Sequence, residues 1–322
     1  MLRGFRTLRR KGVIGINERN IRYVNELNPR RLIHLVDDKL ETKRVALEAD
    51  IATPEVYGVV RNARDMSSAI DVLDKPNGFV VKPAMGSQGK GILVVDSPLS
   101  GGWRLASGRR IKLDALKFHM NNILSGMYSL GGQPDKVMIE YRVEFDDVFA
   151  DISFKGVPDI RVIVVNGFPI FAMLRLPTAE SDGKANLHKG GVGVGLDMMS
   201  GKTRFAMHRD TLIETHPDTA HNLTDIQTPY WDTIMSMASR AYSVTGLGYL
   251  GVDIVLDKTR GPLLLELNAR PGISIQIANR TGMRSALEAA MRIDGNKLTA
   301  DERVEFALNI YEECYQDVSS PA

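Results

Sequence analysis

Asp253, Glu266 and Asn268 stand in GLGYLGVDIVLDKTRGPLLLELNARPG (246–272) at a spacing that can hold a cation. Runs rich in Val, Ile and Leu flank a short polar Lys-Thr-Arg-Gly, which predicts a β-hairpin. With a four-residue loop from Lys258 to Gly261, Asp257 pairs with Pro262 and Asp253 falls opposite Glu266. Side chains on a strand alternate faces. Asp253, Glu266 and Asn268 then share one face, and Ile254, Leu256, Leu263, Leu265 and Leu267 share the other. Adjacent carboxylates repel unless a cation or a shared proton joins them. Hard oxygens on paired strands suit Mg²⁺, above all where a phosphate completes the shell. The same pattern also describes a solvent-facing edge hairpin with ordinary acidic residues.

Four other segments carry groups capable of chemistry. FVVKPAMGSQGKGILVV (79–95) predicts strand, glycine loop and strand. Its Gly86, Gly89 and Gly91 let backbone approach a polyanion, with Lys82 and Lys90 supplying charge. Neither the Walker pattern nor a dinucleotide fingerprint fits, so the alternatives are a flap over phosphates or a plain glycine-rich turn. VMIEYRV (137–143) sets Glu140 in an apolar strand whose edge can meet a flat base, or simply a partly exposed glutamate. PDIRVIVVNGFPIFAMLR (158–175) holds Asn-Gly between apolar runs, a strong hairpin signal. Asp159 and Arg161 share a face there; Arg175 falls on the other unless a bulge intervenes. ANLHKGGVGVGLD (185–197) offers Asn186, His188 and Lys189 beside glycine N–H groups, an arrangement for an anionic intermediate or a solvated surface loop.

These groups must be positioned by an ordinary soluble framework. Of 322 residues, 43% are hydrophobic and 25% charged, normal for a globular chain that needs no disulfide or structural metal. The 41 basic and 39 acidic residues leave a net +2, which predicts no nucleic-acid partner. Cys314 is the only cysteine, excluding a disulfide framework and a thiolate zinc site and fitting a cytoplasmic location. No transmembrane segment is predicted: the longest apolar stretch, Val162 to Leu174, is broken and short. Leu2, Phe5 and Leu8 among Arg3, Arg6, Arg9, Arg10 and Lys11 predict a packed helix with a basic solvated face, or one lying on an anionic surface.

Helical periodicity is expected over 38–49, around 67–73, and over 111–128, 229–244, 283–292 and 300–316. Strands are expected at Phe79 to Lys82, Lys136 to Tyr141, Asp159 to Val165 and Phe168 to Leu174, besides the opening hairpin. Residues 1–36 read as helices with turns near Gly15 and Pro29. Antiparallel strand pairs with helices in blocks predict α+β layering rather than a doubly wound sheet.

Taken in order, the five segments resemble the ATP-grasp superfamily, and more narrowly its α-L-glutamate ligases, over roughly 37–285. DIRVIVV, NLHKGG, and GVDI followed by GPLLLELNARPG carry the resemblance. It implies an ATP-grasp fold with two α+β subdomains enclosing the nucleotide. The implied division is an N-terminal helical extension (1–38), a small subdomain with the flap (39–135), a large subdomain with the hairpin (136–295), and a C-terminal helix and tail (296–322). It implies that Lys39 and Lys82 hold phosphates, that Ser87, Gln88, Gly89, Lys90 and Gly91 form the flap, that Glu140 and the Tyr141 backbone meet adenine, and that Asp159 meets ribose. Asp253, Glu266 and Asn268 would hold Mg²⁺, as one or two ions replaceable by Mn²⁺. Arg161, Arg175, Asn186, His188, Lys189 and Arg270 would face the γ-phosphate, the acyl phosphate or the acceptor.

The implied activity is ATP-dependent joining of a carboxylate acceptor, peptide or small molecule, to an amine, usually that of glutamate. A non-catalytic ATP-binding regulator that keeps the fold is the competing reading; a homo-oligomer fits either. In relatives a domain of about a hundred residues usually precedes the lysine that opens the fold; here 38 residues precede Lys39. Segments 101–110 and 142–158 are longer than expected and read as a lid or a partner surface.

Overall fold

The computed structural model describes residues 7–71, 73, 77–86 and 89–315. By internal contacts the chain forms two units, 38–43 with 53–143, and 1–37 with 44–52 and 144–322.

The smaller unit is built on six strands: β1 (Val56–Val60), β2 (Phe79–Pro83), β3 (Leu93–Leu99), β4 (Gly102–Leu105), β5 (Arg110–Ile111) and β6 (Val137–Glu140). Their order is β1-β6-β2-β3-β4-β5, with antiparallel pairing throughout. One face is apolar, carrying Phe79, Val81, Val95, Val137 and Ile139. The helix Leu113–Leu124 covers it with Leu116, Met120 and Ile123, a spacing of four and three that keeps them on one helical stripe. Segment 101–110 forms the β4–β5 hairpin at the sheet's edge rather than a separate lid. β6 lies between β1 and β2.

The larger unit holds β7 (Asp159–Val165), β8 (Phe168–Leu176), β9 (Val192–Leu196), β10 (Thr203–His208), β11 (Thr211–Ile213), β12 (Tyr249–Asp257) and β13 (Gly261–Asn268). The order is β11-β10-β9-β8-β7-β12-β13, again antiparallel. The helices Trp231–Thr245, Arg284–Ala290 and Ala300–Tyr315 join its core. Two antiparallel sheets with helices in blocks are the α+β class expected.

β9 is a strand the sequence reading treated as loop. In VGVGL the buried Val192, Val194 and Leu196 alternate with glycines, so the period of two was present but masked by glycine content. Segment 142–158 is likewise not a lid. Phe149 and Ile152 enter the larger core, and the Glu144 amide donates to Asp257 Oδ2 at 3.0 Å.

Candidate functional site

One face of the larger sheet gathers the chemistry, and two bulges decide which side chains reach it. In the β12–β13 hairpin the loop is three residues, not four, with Asp257 opposite Gly261. Asp257 closes that loop through Oδ1, accepting from the Thr259 and Arg260 amides at 3.0 and 2.9 Å, and Gly261 takes the left-handed φ of 70° that a short hairpin of this kind requires. Alone, the shorter loop would place Asp253 opposite Leu265 and turn Glu266 toward the core, because a one-residue slip reverses every side chain. A bulge after the Ile254–Leu264 pair restores Asp253 opposite Glu266. Leu264 and Leu267 therefore enter the core, correcting the expected Leu263, Leu265 and Leu267 series.

The β7–β8 hairpin repeats the device. Asn166 and Gly167 form the turn, Val164 pairs with Pro169, and the register then shifts so that Ile163 pairs with Phe171. Pro169 lacks an N–H and tolerates a bulge beside it. The extra residue, Ile170, brings Arg175 opposite Asp159, onto the face where simple counting did not put it. Arg161 pairs with Asp253 across β7–β12, and Gly251 with Asn268 across β12–β13. Across four adjacent strands the face thus carries Arg175, Asp159 with Arg161, Asp253, and Glu266 with Asn268.

These groups touch. Arg161 donates from Nε to Asp253 Oδ1 at 2.7 Å and from Nη2 to Oδ2 at 2.5 Å. Arg175 Nη2 donates to the same Oδ2 at 2.7 Å, and its Nε to Asp159. Asp253 has no exposure to solvent. Burial raises its carboxyl, but Arg161 and Arg175 hold it below the usual carboxylate range. Asp159 is pushed up to about 7 by burial, with Arg175 pulling the other way. Burial acts to lower Arg175, yet Asp159 and Asp253 keep it above its ordinary value. Glu266 is the direct cross-strand partner of Asp253, and Arg161 and Arg175 supply the cations beside that carboxylate. Among the described residues no three His, Cys, Asp or Glu side chains converge on a metal position. Asp253, Glu266 and Asn268 bring two carboxylates and an amide to this face.

Asn186 begins a tight turn at the head of β9, its Oδ1 accepting from the His188 amide at 3.0 Å and its carbonyl from Gly191 at 2.9 Å. Gly190 closes the turn at φ 93°. Its carbonyl accepts from Thr178 Oγ1 at 2.8 Å and meets His208 Nε2 at 3.0 Å. His188 is exposed and Lys189 half-buried. β9 then runs beside β8, with Gly193 opposite Arg175, so the turn stands at the end of the strand next to Arg175. Arg270 is exposed, and its amide donates to Asn268 Oδ1 at 2.8 Å.

In the smaller unit Glu140 is buried between two lysines. Lys82 Nζ lies 2.5 Å from Oε1 and Lys43 Nζ 3.0 Å from Oε2. Lys43 was not singled out from the sequence, although it follows Lys39 by four residues on one helix, a spacing that shares a face. Burial pulls Lys43 down to about 8, opposed by Glu140 and reinforced by Lys82. The Tyr141 amide donates to the Glu55 carbonyl at 2.8 Å. Lys39 Nζ donates to the Gly86 carbonyl at 2.6 Å, and Asp135 receives the Met85 amide at 3.0 Å, so both hold the root of the glycine loop. At its far end Gly91, at φ 74°, packs so tightly on the Tyr128 ring that a Cβ would lie 2.6 Å from it. Gly89 is also left-handed at φ 68° and Lys90 is exposed; Ser87 and Gln88 lie outside the described residues.

Among solved structures the chain is similar to the ATP-grasp ligase PsnB complexed with minimal precursor (15% identity, 82% of this chain and 63% of that one, TM-score 0.45). It is also similar to D-alanine–D-alanine ligase from Bacillus anthracis complexed with ATP (14%, 89% and 70%, TM-score 0.46). Among curated proteins it is 26% identical over 247 residues to a "Probable alpha-L-glutamate ligase" of Xanthomonas oryzae pv. oryzae (strain MAFF 311018), covering 76% of this chain and 61% of that protein. A protein of the same name from Maridesulfovibrio salexigens is 24% identical over 238 residues, 73% of this chain and 56% of its own. The chain spans about three-fifths of the length of these relatives. The family model described as sugar-transfer associated ATP-grasp matches residues 18–292, and the chain belongs to that family.

Proposed function

We propose that this chain is an ATP- and Mg²⁺-dependent ligase joining a carboxylate to an amine through an acyl phosphate, with glutamate or another amino acid as the amine. The observation carrying the reading is the four-strand face on which Asp159, Arg161, Arg175, Asp253, Glu266 and Asn268 stand together. Family membership supports nucleotide use, and the names of the curated relatives support the choice of amine.

The residues fit Mg²⁺. Asp253 and Glu266 stand opposite each other across β12 and β13, and with Asn268 they form an all-oxygen set. When bound, the ion neutralises phosphate charge and aligns the γ-phosphoryl group. Arg161 and Arg175 now hold Asp253; a bound triphosphate offers them a competing anion, suiting both to the transferring phosphoryl group. We assign Lys39, Lys82 and Lys90 to the phosphates, with Glu140 fixing the direction of the Lys82 ammonium. Adenine is assigned to the chain at Glu140 and Tyr141, and ribose to Asp159. Asn186, His188, Lys189 and Arg270 are assigned to the acyl phosphate and acceptor.

The chemistry balances without a covalent enzyme intermediate. A substrate carboxylate oxygen bonds to the γ-phosphorus as the bond to the bridging oxygen breaks and ADP leaves. The amine nitrogen then attacks the acyl carbon. Phosphate departs with the electrons of the C–O bond, and the amine proton passes to phosphate or solvent. Water must be kept from the acyl phosphate throughout, a role we assign to the glycine loop.

Glu266→Gln tests the assignment. Substrate-dependent ADP release is expected to fall about a hundredfold or more with the circular dichroism spectrum unchanged; undiminished release would remove Glu266 from the machinery. Mass spectrometry of extract incubated with enzyme and ATP is expected to show one glutamyl or other aminoacyl unit gained on a carboxylate.

A further inference from the structure

Arg19 is nine-tenths buried, and among the described residues it makes no ion pair. Its guanidinium instead serves neutral oxygens. Nη1 donates to the Arg270 carbonyl at 2.9 Å and the Pro271 carbonyl at 2.5 Å, while Nε and Nη2 donate to Asn20 Oδ1 at 3.0 and 2.7 Å. Burying a cation without a counter-ion is unfavourable, so the fold retains here an arrangement that stability alone does not favour. The two carbonyls belong to the loop leaving β13, directly after Asn268.

The rest of the N-terminal segment ties down the same neighbourhood. Asn28 Nδ2 donates to the Tyr249 and Ala269 carbonyls at 2.8 and 3.0 Å, and Asn28 Oδ1 accepts from the Tyr249 amide at 2.8 Å. Ile14 exchanges hydrogen bonds with the Gln276 side chain at 2.9 and 3.1 Å. Glu18 receives both Arg284 nitrogens. Between Arg19 and Val24 the helix widens to π geometry, an insertion that re-aims side chains and recurs at functional positions. Pro271, held by Arg19, lies over Gly251 so closely that a Cβ there would be 2.7 Å from the proline Cβ and 3.6 Å from Arg161 Nε.

We propose that Arg19 is a positioning residue: through the Arg270 and Pro271 carbonyls it fixes the loop that carries Arg270 and orients Asn268, so the N-terminal segment is a working part of the face. It acts at one remove, touching neither metal nor nucleotide. The inference rests on the ligase reading for its effect on Mg²⁺·ATP but not for its effect on the loop.

Hydrogen exchange at the Arg270 amide reads the loop directly, since that amide donates to Asn268. In the Arg19→Met variant of this chain, exchange there is expected to rise about tenfold, the loss of a charge-assisted tether, with the helix Trp231–Thr245 unchanged. Calorimetric affinity for Mg²⁺·ATP is expected to fall, and Arg19→Lys, which keeps the charge but not the fork, to lie between. Wild-type exchange at Arg270 in Arg19→Met, or an equal rise throughout the larger unit, overturns the proposal. Should Arg19→Met fail to fold, Arg19→Lys decides: faster exchange at Arg270 alone supports it, and an unchanged rate overturns it. Wild-type protein that binds no Mg²⁺·ATP would instead overturn the ligase reading while leaving the exchange result interpretable.

Discussion

Arg175 is the residue on which the charge balance of the larger unit turns. It bonds both Asp159 and Asp253, and both carboxyl groups are buried. Removing one member of such a cluster leaves carboxylates without compensation, so Arg175→Met is expected to cost about 3–5 kcal/mol in urea unfolding. A loss under about 1 kcal/mol would mean Arg161 alone suffices. Lys43 gives a prediction in pH. Its folded pKa of about 8 lies below the unfolded 10.5, so between these values the unfolded chain binds more protons and stability rises with pH. The strain of burying the charged ammonium is fully present below pH 8 and relieved toward 10.5. Wild-type protein is expected to gain on the order of 2 kcal/mol over Lys43→Met between pH 7 and pH 10; a pH-independent difference would contradict the depressed value.

At the scale of elements, the identity of β7, β8, β12 and β13 was legible, their phase was not, and β9 was hidden by its glycines. Asp159–Val165 and Phe168–Leu176 stand where apolar runs around Asn-Gly predicted them. The pairing of Asp253 with Glu266 was also anticipated, but from a four-residue loop and a regular strand. The real hairpin has a shorter loop and a bulge, two departures that cancel. Leu264, Leu265 and Leu267 are chemically alike, so no residue type marks where the ladder slips. Arg175 shows the converse: its face hinged on a bulge beside Pro169, the one residue in that strand hinting at irregular pairing. The buried ion pairs of Lys43 and Glu140 join residues 97 apart in the chain and had no local signature. Close packing around the bulged strands predicts that Gly251→Ala forces Pro271 aside and costs about 1–3 kcal/mol. Gly272→Ala, with nothing within 4 Å of a Cβ, is the control and should shift stability by under about 0.5 kcal/mol.

For the whole molecule, family membership accounts for the two antiparallel sheets. Among the described residues no helix is long and apolar enough to cross a membrane. If Mg²⁺·ATP binds the folded state alone, a concentration a hundredfold above Kd adds about 2.7 kcal/mol. The melting temperature should rise accordingly with Mg²⁺·ATP and much less with ATP in excess chelator. The central claim, activation of a carboxylate by phosphoryl transfer, is tested most directly by hydroxylamine trapping. Enzyme, Mg²⁺·ATP and a panel of carboxylates, amino acids and extract fractions are incubated with hydroxylamine, which converts an acyl phosphate to a hydroxamate without need of the natural amine. The account predicts hydroxamate and ADP in equal amounts for at least one carboxylate, both lost in Glu266→Gln; AMP with pyrophosphate in place of ADP, or bound ATP that no carboxylate ever turns over, would contradict it.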